Sequence, residues 1–143
     1  MRKRYYLWDE FLFDIERITK ILRPKKFQSL VLISRGGLVP GGLLARSLDI
    51  CHVEVVCLQS YVNQESKGLQ VIGTPFWHTG ITGVTLKNSL IVDDICDSGE
   101  TLTYITSFVK APVFTLFYKV TQGVFTPTYY LHKTTKWVQF PWE

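Results

Sequence analysis

From Trp8 to Leu22, apolar side chains recur at Phe11, Leu12, Ile15, Ile18 and Leu22. Steps of three and four put them on one face of a helix. Asp9 is the expected N-cap, and Arg23-Pro24 the expected stop, because proline cannot continue a helix interior. The pattern then shortens. Ser29 to Ile33 (SLVLI) is a continuous apolar, β-branched run, which predicts a strand buried on both faces and opening into Ser34-Arg35-Gly36-Gly37. Helical spacing resumes from Val39 to Leu48 through Leu43 and Leu44. Further strands are predicted at His52–Tyr61, Ser89–Val92 and Val113–Tyr118, with a helix at Thr101–Val109. Val62 to Lys87 is polar and longer than connections usually run, which marks a lid or a hairpin. Lys119 to Glu143 is aromatic and rich in turn residues.

Strands alternating with helices predict an α/β fold with a mainly parallel sheet flanked by helices. The 143 residues fit one domain: a core over about 8–118, a small C-terminal hood over about 119–143, and a lid loop over about 62–87. Ligands of such sheets bind beyond the carboxyl ends of the strands. The loops that follow the first and third predicted strands are therefore the places to look for chemistry.

Composition narrows the function classes. With 46% hydrophobic and 20% charged residues, the chain has enough apolar matter for a packed core. Its formal charge of +4 suits nucleic acid or a phosphate-rich substrate equally. The cations are dispersed, however, with no basic groove interleaved with stacking aromatics, so no nucleic-acid partner is expected. Cys51, Cys57 and Cys96 have no CxxC spacing. With no leader-like apolar stretch, they suggest reduced thiols and a cytoplasmic protein. No run reaches the roughly 18 apolar residues of a membrane span, and nothing supports a peripheral membrane contact. His52, His78 and His132 lack metal-ligand spacing.

The most informative segment is Leu90-Ile-Val-Asp-Asp-Ile-Cys-Asp-Ser-Gly-Glu-Thr101. Asp93 and Asp94 follow an apolar strand directly, and adjacent buried carboxylates repel each other unless a divalent cation or sugar hydroxyls offset the cost. Asp97-Ser98-Gly99-Glu100-Thr101 then leads into a helix, where small residues expose backbone N–H groups in a concavity suited to phosphate. Carboxylates for a ribose beside a nest for its 5′-phosphate describe a ribose 5-phosphate site. Ser34-Arg35-Gly36-Gly37 makes a second loop of this kind, with glycines that let the backbone approach a ligand and an arginine suited to phosphate oxygens. One substrate with phosphates at both ends needs two such cradles.

These two loops resemble the phosphoribosyl pyrophosphate (PRPP) signature and the pyrophosphate loop of type I phosphoribosyltransferases. Trp8-Asp9, Ser34 to Arg46, Ser60-Tyr61, Lys119 and Trp137-Val-Gln-Phe-Pro-Trp142 extend the resemblance to the bacterial xanthine-guanine branch of that family. The resemblance implies an enzyme of purine salvage, using Mg²⁺ and PRPP to convert guanine, xanthine or hypoxanthine into its nucleoside monophosphate. It implies that Asp93 and Asp94 hold the ribose hydroxyls, directly or through the metal. Ser98, Gly99, Glu100 and Thr101 would cradle the 5′-phosphate; Ser34, Arg35, Gly36 and Gly37, with Lys67, would hold the pyrophosphate. Asp97 would accept the proton of purine N7, Lys119 would read O6, Trp137 would stack on the ring, and the Val138 backbone would meet its far edge. A cis Ser34–Arg35 peptide and a homo-oligomer, a tetramer by analogy, are implied as well.

Four features depart from the family pattern. Lys67 stands where the relatives carry an arginine, Glu100 puts a carboxylate in the phosphate loop, Gln139 replaces an acid, and the segment before Asp93 is longer. A non-catalytic PRPP- or nucleotide-binding regulator on the same fold is the alternative. A phosphoribosyltransferase for another base is a third reading.

Overall fold

The computed structural model describes residues 2–62, 67–72, 88–120 and 124–143. The elements in chain order are β1 (Lys3–Tyr5), α1 (Trp8–Leu22), a 3₁₀ turn (Arg23–Lys25), β2 (Ser29–Ser34), α2 (Leu38–Ser47), β3 (His52–Val62), β4 (Lys67–Ile72), β5 (Ser89–Cys96), α3 (Glu100–Phe108), β6 (Val113–Lys119), β7 (Tyr129–Thr134) and β8 (Trp137–Gln139). Six strands form one sheet in the order β4-β3-β2-β5-β6-β7, and β1 pairs with β8 in a second, two-stranded one. All pairings are parallel except β3 with β4.

Strand β2 shows why the apolar run reads as it does. Leu30 and Leu32 enter the core formed with α1 and α2, while Val31 and Ile33 pack on the opposite side against Leu102 and Ile105 of α3. A strand covered on both faces has no polar alternation to display. On α1, Phe11, Ile15, Ile18 and Leu22 are the buried stripe, each contributing about 2 kcal/mol of burial. The helix starts at Trp8, preceded by extended Leu7 with no side-chain cap. Asp9 therefore sits in the first turn beside Glu10, where its charge favours the helix dipole, and is not the N-cap.

The chain leaves β2 through α2 to β3 on one side, and leaves β5 through α3 to β6 on the other. The switch in direction falls between β2 and β5, whose Ser29–Leu32 and Ser89–Val92 are in register. Crossovers that diverge open a crevice at the carboxyl ends of those two strands. Both sequence loops emerge there.

The long polar segment begins as a hairpin, since Lys67–Ile72 pairs antiparallel with Cys57–Val62. Residues 63–66 and 73–87, including Trp77 and His78, and the side chain of Lys67 lie outside the described residues. Two elements come from sequence that carries no apolar period. Strand β7 adds the sixth strand of the main sheet, and the N-terminal β1 runs alongside β8. Among the described residues, no helix is long and apolar enough to cross a membrane.

Candidate active site

A cavity of about 870 Å³ opens at the switch point. Strand β5 continues past its apolar run as far as Cys96, so Asp93 and Asp94 are strand residues, both nine-tenths buried or more. They are not solvated loop carboxylates. The Asp94 backbone N–H donates to Asp93 Oδ1 at 2.9 Å. Burial pushes Asp93 well above the ordinary carboxylate range, and the charge of Asp94 adds to it. Burial also pushes Asp94 up to about 6, with the Glu143 carboxylate contributing in the same direction.

The first loop is fitted to these carboxylates through its glycines. A β-carbon on Gly36 would lie 2.5 Å from the Asp94 carboxyl group. One on Gly37 would lie 2.4 Å from the Val92 carbonyl oxygen and 2.8 Å from that of Ile33. The Ser34–Arg35 peptide is cis, as the resemblance implies. Ser34, Arg35 and Gly36 line the cavity.

The second loop turns at Gly99, whose φ of 85° is a left-handed conformation that an L side chain rarely adopts. It precedes α3, and a β-carbon there would lie 2.7 Å from the β-carbon of Phe125. Ser98 Oγ accepts the Glu100 N–H at 3.3 Å. Glu100 is exposed and does not line the cavity. Asp97 and Thr101 do line it, facing Lys119, Trp137 and Val138 from β6 and β8. Lys119 Nζ lies 3.2 Å from both Asp97 carboxylate oxygens and 5.8 Å from the centre of the Trp137 ring. Lysine and aspartate thus form a direct ion pair that Trp137 borders.

Of the residues singled out in the sequence, Ser34, Arg35, Gly36, Asp93, Asp94, Asp97, Thr101, Lys119, Trp137 and Val138 share this cavity. Gly37, Ser98, Gly99 and Glu100 shape the two loops without lining it. Sequence reasoning missed Glu143, which lines the cavity near Asp94. Its Oε2 accepts the Gln139 side-chain amide and the Phe140 N–H, each at 3.3 Å. The amide at position 139 can donate where an acid could not. Gln139 and Glu143 stand four residues apart across a proline turn, a spacing with no period to flag it.

The titration of the acidic pair has a measurable consequence. Folding raises both carboxyl groups, so the native state keeps protons that the unfolded chain has released. Stability must then fall as pH rises from the ordinary carboxyl value of 3.8 to about 6 at Asp94. The slope approaches roughly 1.4 kcal/mol per pH unit per retained proton. Urea denaturation without divalent cations, compared between the wild type and Asp94→Asn, should show the loss over that interval in the wild type and a shallower one in the variant. Identical pH profiles would mean that Asp94 is not raised.

A cavity at the switch point, with an acidic strand end, two glycine loops and a strand-borne lysine, is the arrangement that the resemblance to type I phosphoribosyltransferases implies. The phosphoribosyl transferase domain family matches residues 1–112. The chain is 33% identical over 138 residues to xanthine-guanine phosphoribosyltransferase of Chromohalobacter salexigens, covering 95% of this chain and 81% of that one. The chain belongs to the phosphoribosyltransferase family. Among solved structures it resembles purine phosphoribosyltransferase from Pyrococcus horikoshii Ot3, with a TM-score of 0.88 at 29% identity, over 100% of this chain and 95% of that one. Xanthine-guanine-hypoxanthine phosphoribosyltransferase of Helicobacter pylori shares the fold, with a TM-score of 0.82 at 23% identity over 99% and 94% of the two chains.

Proposed function

We propose that the protein is a purine-salvage enzyme that transfers ribose 5-phosphate from PRPP to N9 of a 6-oxopurine, guanine, xanthine or hypoxanthine, releasing pyrophosphate. The observation that carries this reading is the Asp97–Lys119 pair beside Trp137, opening into the same cavity as the two loops. A site for PRPP alone needs neither a proton acceptor nor an aromatic face.

The bond from C1′ of the ribose to pyrophosphate breaks with its electron pair leaving on oxygen, and the N9 lone pair forms the new bond to C1′. The purine then carries excess positive charge at N7–H, and the Asp97 carboxylate takes that proton. Lys119 holds that carboxylate. An arriving O6 offers the ammonium a second acceptor, so the two ends of the ion pair become the two readers of the purine's O6/N7 edge. Trp137 stacks on the ring, and the Val138 backbone meets its far edge. Arg35 and the glycines of the first loop stabilise the leaving pyrophosphate, Lys67 joins them, and residues 98–101 hold the 5′-phosphate. Negative charge at Asp93 and Asp94 favours the cationic character that develops at the sugar.

The donor set fits Mg²⁺: Asp93 and Asp94 are buried hard-oxygen ligands whose mutual repulsion a cation relieves. They would hold it, and it would supply positive charge to offset theirs and that of the pyrophosphate. Free Cys51, Cys57 and Cys96 support a reducing, cytoplasmic setting. Exposed Leu7, Leu12 and Phe13 supply apolar surface for a homo-oligomer.

The test is pyrophosphate release from PRPP and Mg²⁺ with guanine, xanthine, hypoxanthine and adenine in turn. Release with an oxopurine and little with adenine is expected. If no base supports release although PRPP binds, the catalytic reading is wrong and the protein is a PRPP-binding regulator.

A further inference from the structure

A buried polar network lies outside the cavity, and the chemistry above makes no use of it. Asp14, on the inner face of α1, is 2% exposed. Its Oδ2 accepts the Tyr6 hydroxyl at 2.6 Å and the His132 Nε2 proton at 2.5 Å. Arg17 stands 3.8 Å from its other oxygen. Glu10 lies close enough for Glu10, Asp14 and His132 to offer a three-ligand metal cluster. These groups are already matched, however: Arg4 pairs with Glu10, and Asp14 has two donors. The network is complete without an ion.

What it touches gives it a purpose. Immediately after β1, the Tyr6 backbone N–H donates to the Gln139 carbonyl at 3.0 Å, which ties it to the strand that presents Trp137 and Val138. The His132 ring, on β7, stacks on Phe117 at 4.9 Å and 29°. Phe117 is two residues before Lys119 on β6, and side chains two apart share one face of a strand. Tyr6 meets Phe117 edge-on at 5.0 Å and Phe140 at 5.9 Å. One carboxylate on α1 is therefore linked to both strands that carry the purine-facing groups, to β8 through Tyr6 and to β6 through the His132 ring on Phe117. Burial, with the Asp14 carboxylate, keeps the Tyr6 hydroxyl far above the ordinary phenol range, so it remains a donor. None of the strands that bear the phosphate loops shares these bonds.

We infer that Tyr6, Asp14 and His132 act as positioning residues that set the purine half of the cavity, joining β8 to β7 and β6 through α1 without touching the base. This rests on the purine reading of Lys119, Trp137 and Val138.

The test compares Tyr6→Phe, His132→Leu and His132→Gln with the wild type. Gln keeps a donor at the place of Nε2. In steady-state transfer assays, Tyr6→Phe and His132→Leu should raise KM for the oxopurine about tenfold while leaving KM for PRPP within about twofold, and His132→Gln should recover most of the loss. A role in stability alone would lower the active fraction and Tm with both KM values unchanged, and that outcome overturns the inference. So would equal increases in both. A second measurement does not depend on catalysis. Hydrogen exchange of the ligand-free protein should quicken about tenfold in segments 3–6 and 137–139 of Tyr6→Phe, relative to 29–34. Were the wild type to transfer no ribose 5-phosphate to any purine, the function reading would fall and this exchange pattern alone would decide the triad. Uniform exchange across the segments would refute it.

Discussion

Replacing Asp97 by asparagine is expected to lower the rate of pyrophosphate release by roughly 10²–10⁴-fold, the range of a positioned acid–base group. The substitution keeps the side chain's shape and removes its capacity to take a proton. The Asp97 side chain is 52% exposed, so the fold loses little when its charge goes. Lys119 is only 11% exposed and loses its charged partner in the variant, which leaves the ammonium freer to engage O6 when the base arrives. Purine KM should therefore hold steady or fall while kcat collapses. Single-turnover measurements would separate the two effects, and melting should stay within about 3 °C of the wild type, a shift of roughly 1 kcal/mol. A variant that turned over within threefold of the wild type would show that the N7 proton leaves by another route.

Gly37→Ala is expected to damage the PRPP half of the site most. The added methyl would sit 2.4 Å and 2.8 Å from two backbone carbonyl oxygens, those of Val92 and Ile33. Neither can rotate away, because both belong to strands at the centre of the sheet. The loop must shift instead, and with it Arg35 and the Gly36 contact to Asp94. Overpacking of this kind costs about 1–3 kcal/mol. At roughly 3 °C per kcal/mol for a chain of this size, Tm should drop by several degrees. KM for PRPP should rise at least about tenfold, since a misplacement of 1 Å near reacting groups can cost two orders of magnitude. Gly42 is the internal control: a β-carbon there meets nothing within 4 Å, so Gly42→Ala should leave PRPP binding unchanged. If both alanine variants behave alike, close packing of the first loop does not explain its glycines.

The parts of the fold legible in the sequence were those whose burial imposes a period. Strands β2, β5 and β6 are covered on both faces, so each carries a mostly apolar run without polar alternation, and α1 shows its stripe because one face meets the core. The run in β5 ends at Val92 while the strand ends at Cys96, because the carboxylates of Asp93 and Asp94 interrupt the apolar pattern but not the hydrogen bonding. Strand β1 could not be read: Lys-Arg-Tyr has no apolar period, and its partner β8 lies at the far end of the chain. The loops were legible as chemistry because small residues and acids at strand ends have few other uses. Glu143 and the Tyr6–Asp14–His132 network were not, since each depends on contacts between segments that adjacent sequence does not announce.

The adjacency of β2 and β5 has a consequence for which ligands can be accepted. Each loop is rooted on its own strand, and neighbouring strands in a sheet stand about 4.8 Å apart, whatever side chains they carry. The lateral offset between the roots of the two loops is thus set by the backbone. On the proposed function, the two loops would meet the two charged ends of one phosphorylated sugar from roots that the sheet fixes. On the same reading, base choice would reside in side chains of β6 and β8, which substitution can change. Within one cavity, the roots of the phosphate loops would be fixed by the sheet and the base end free to vary.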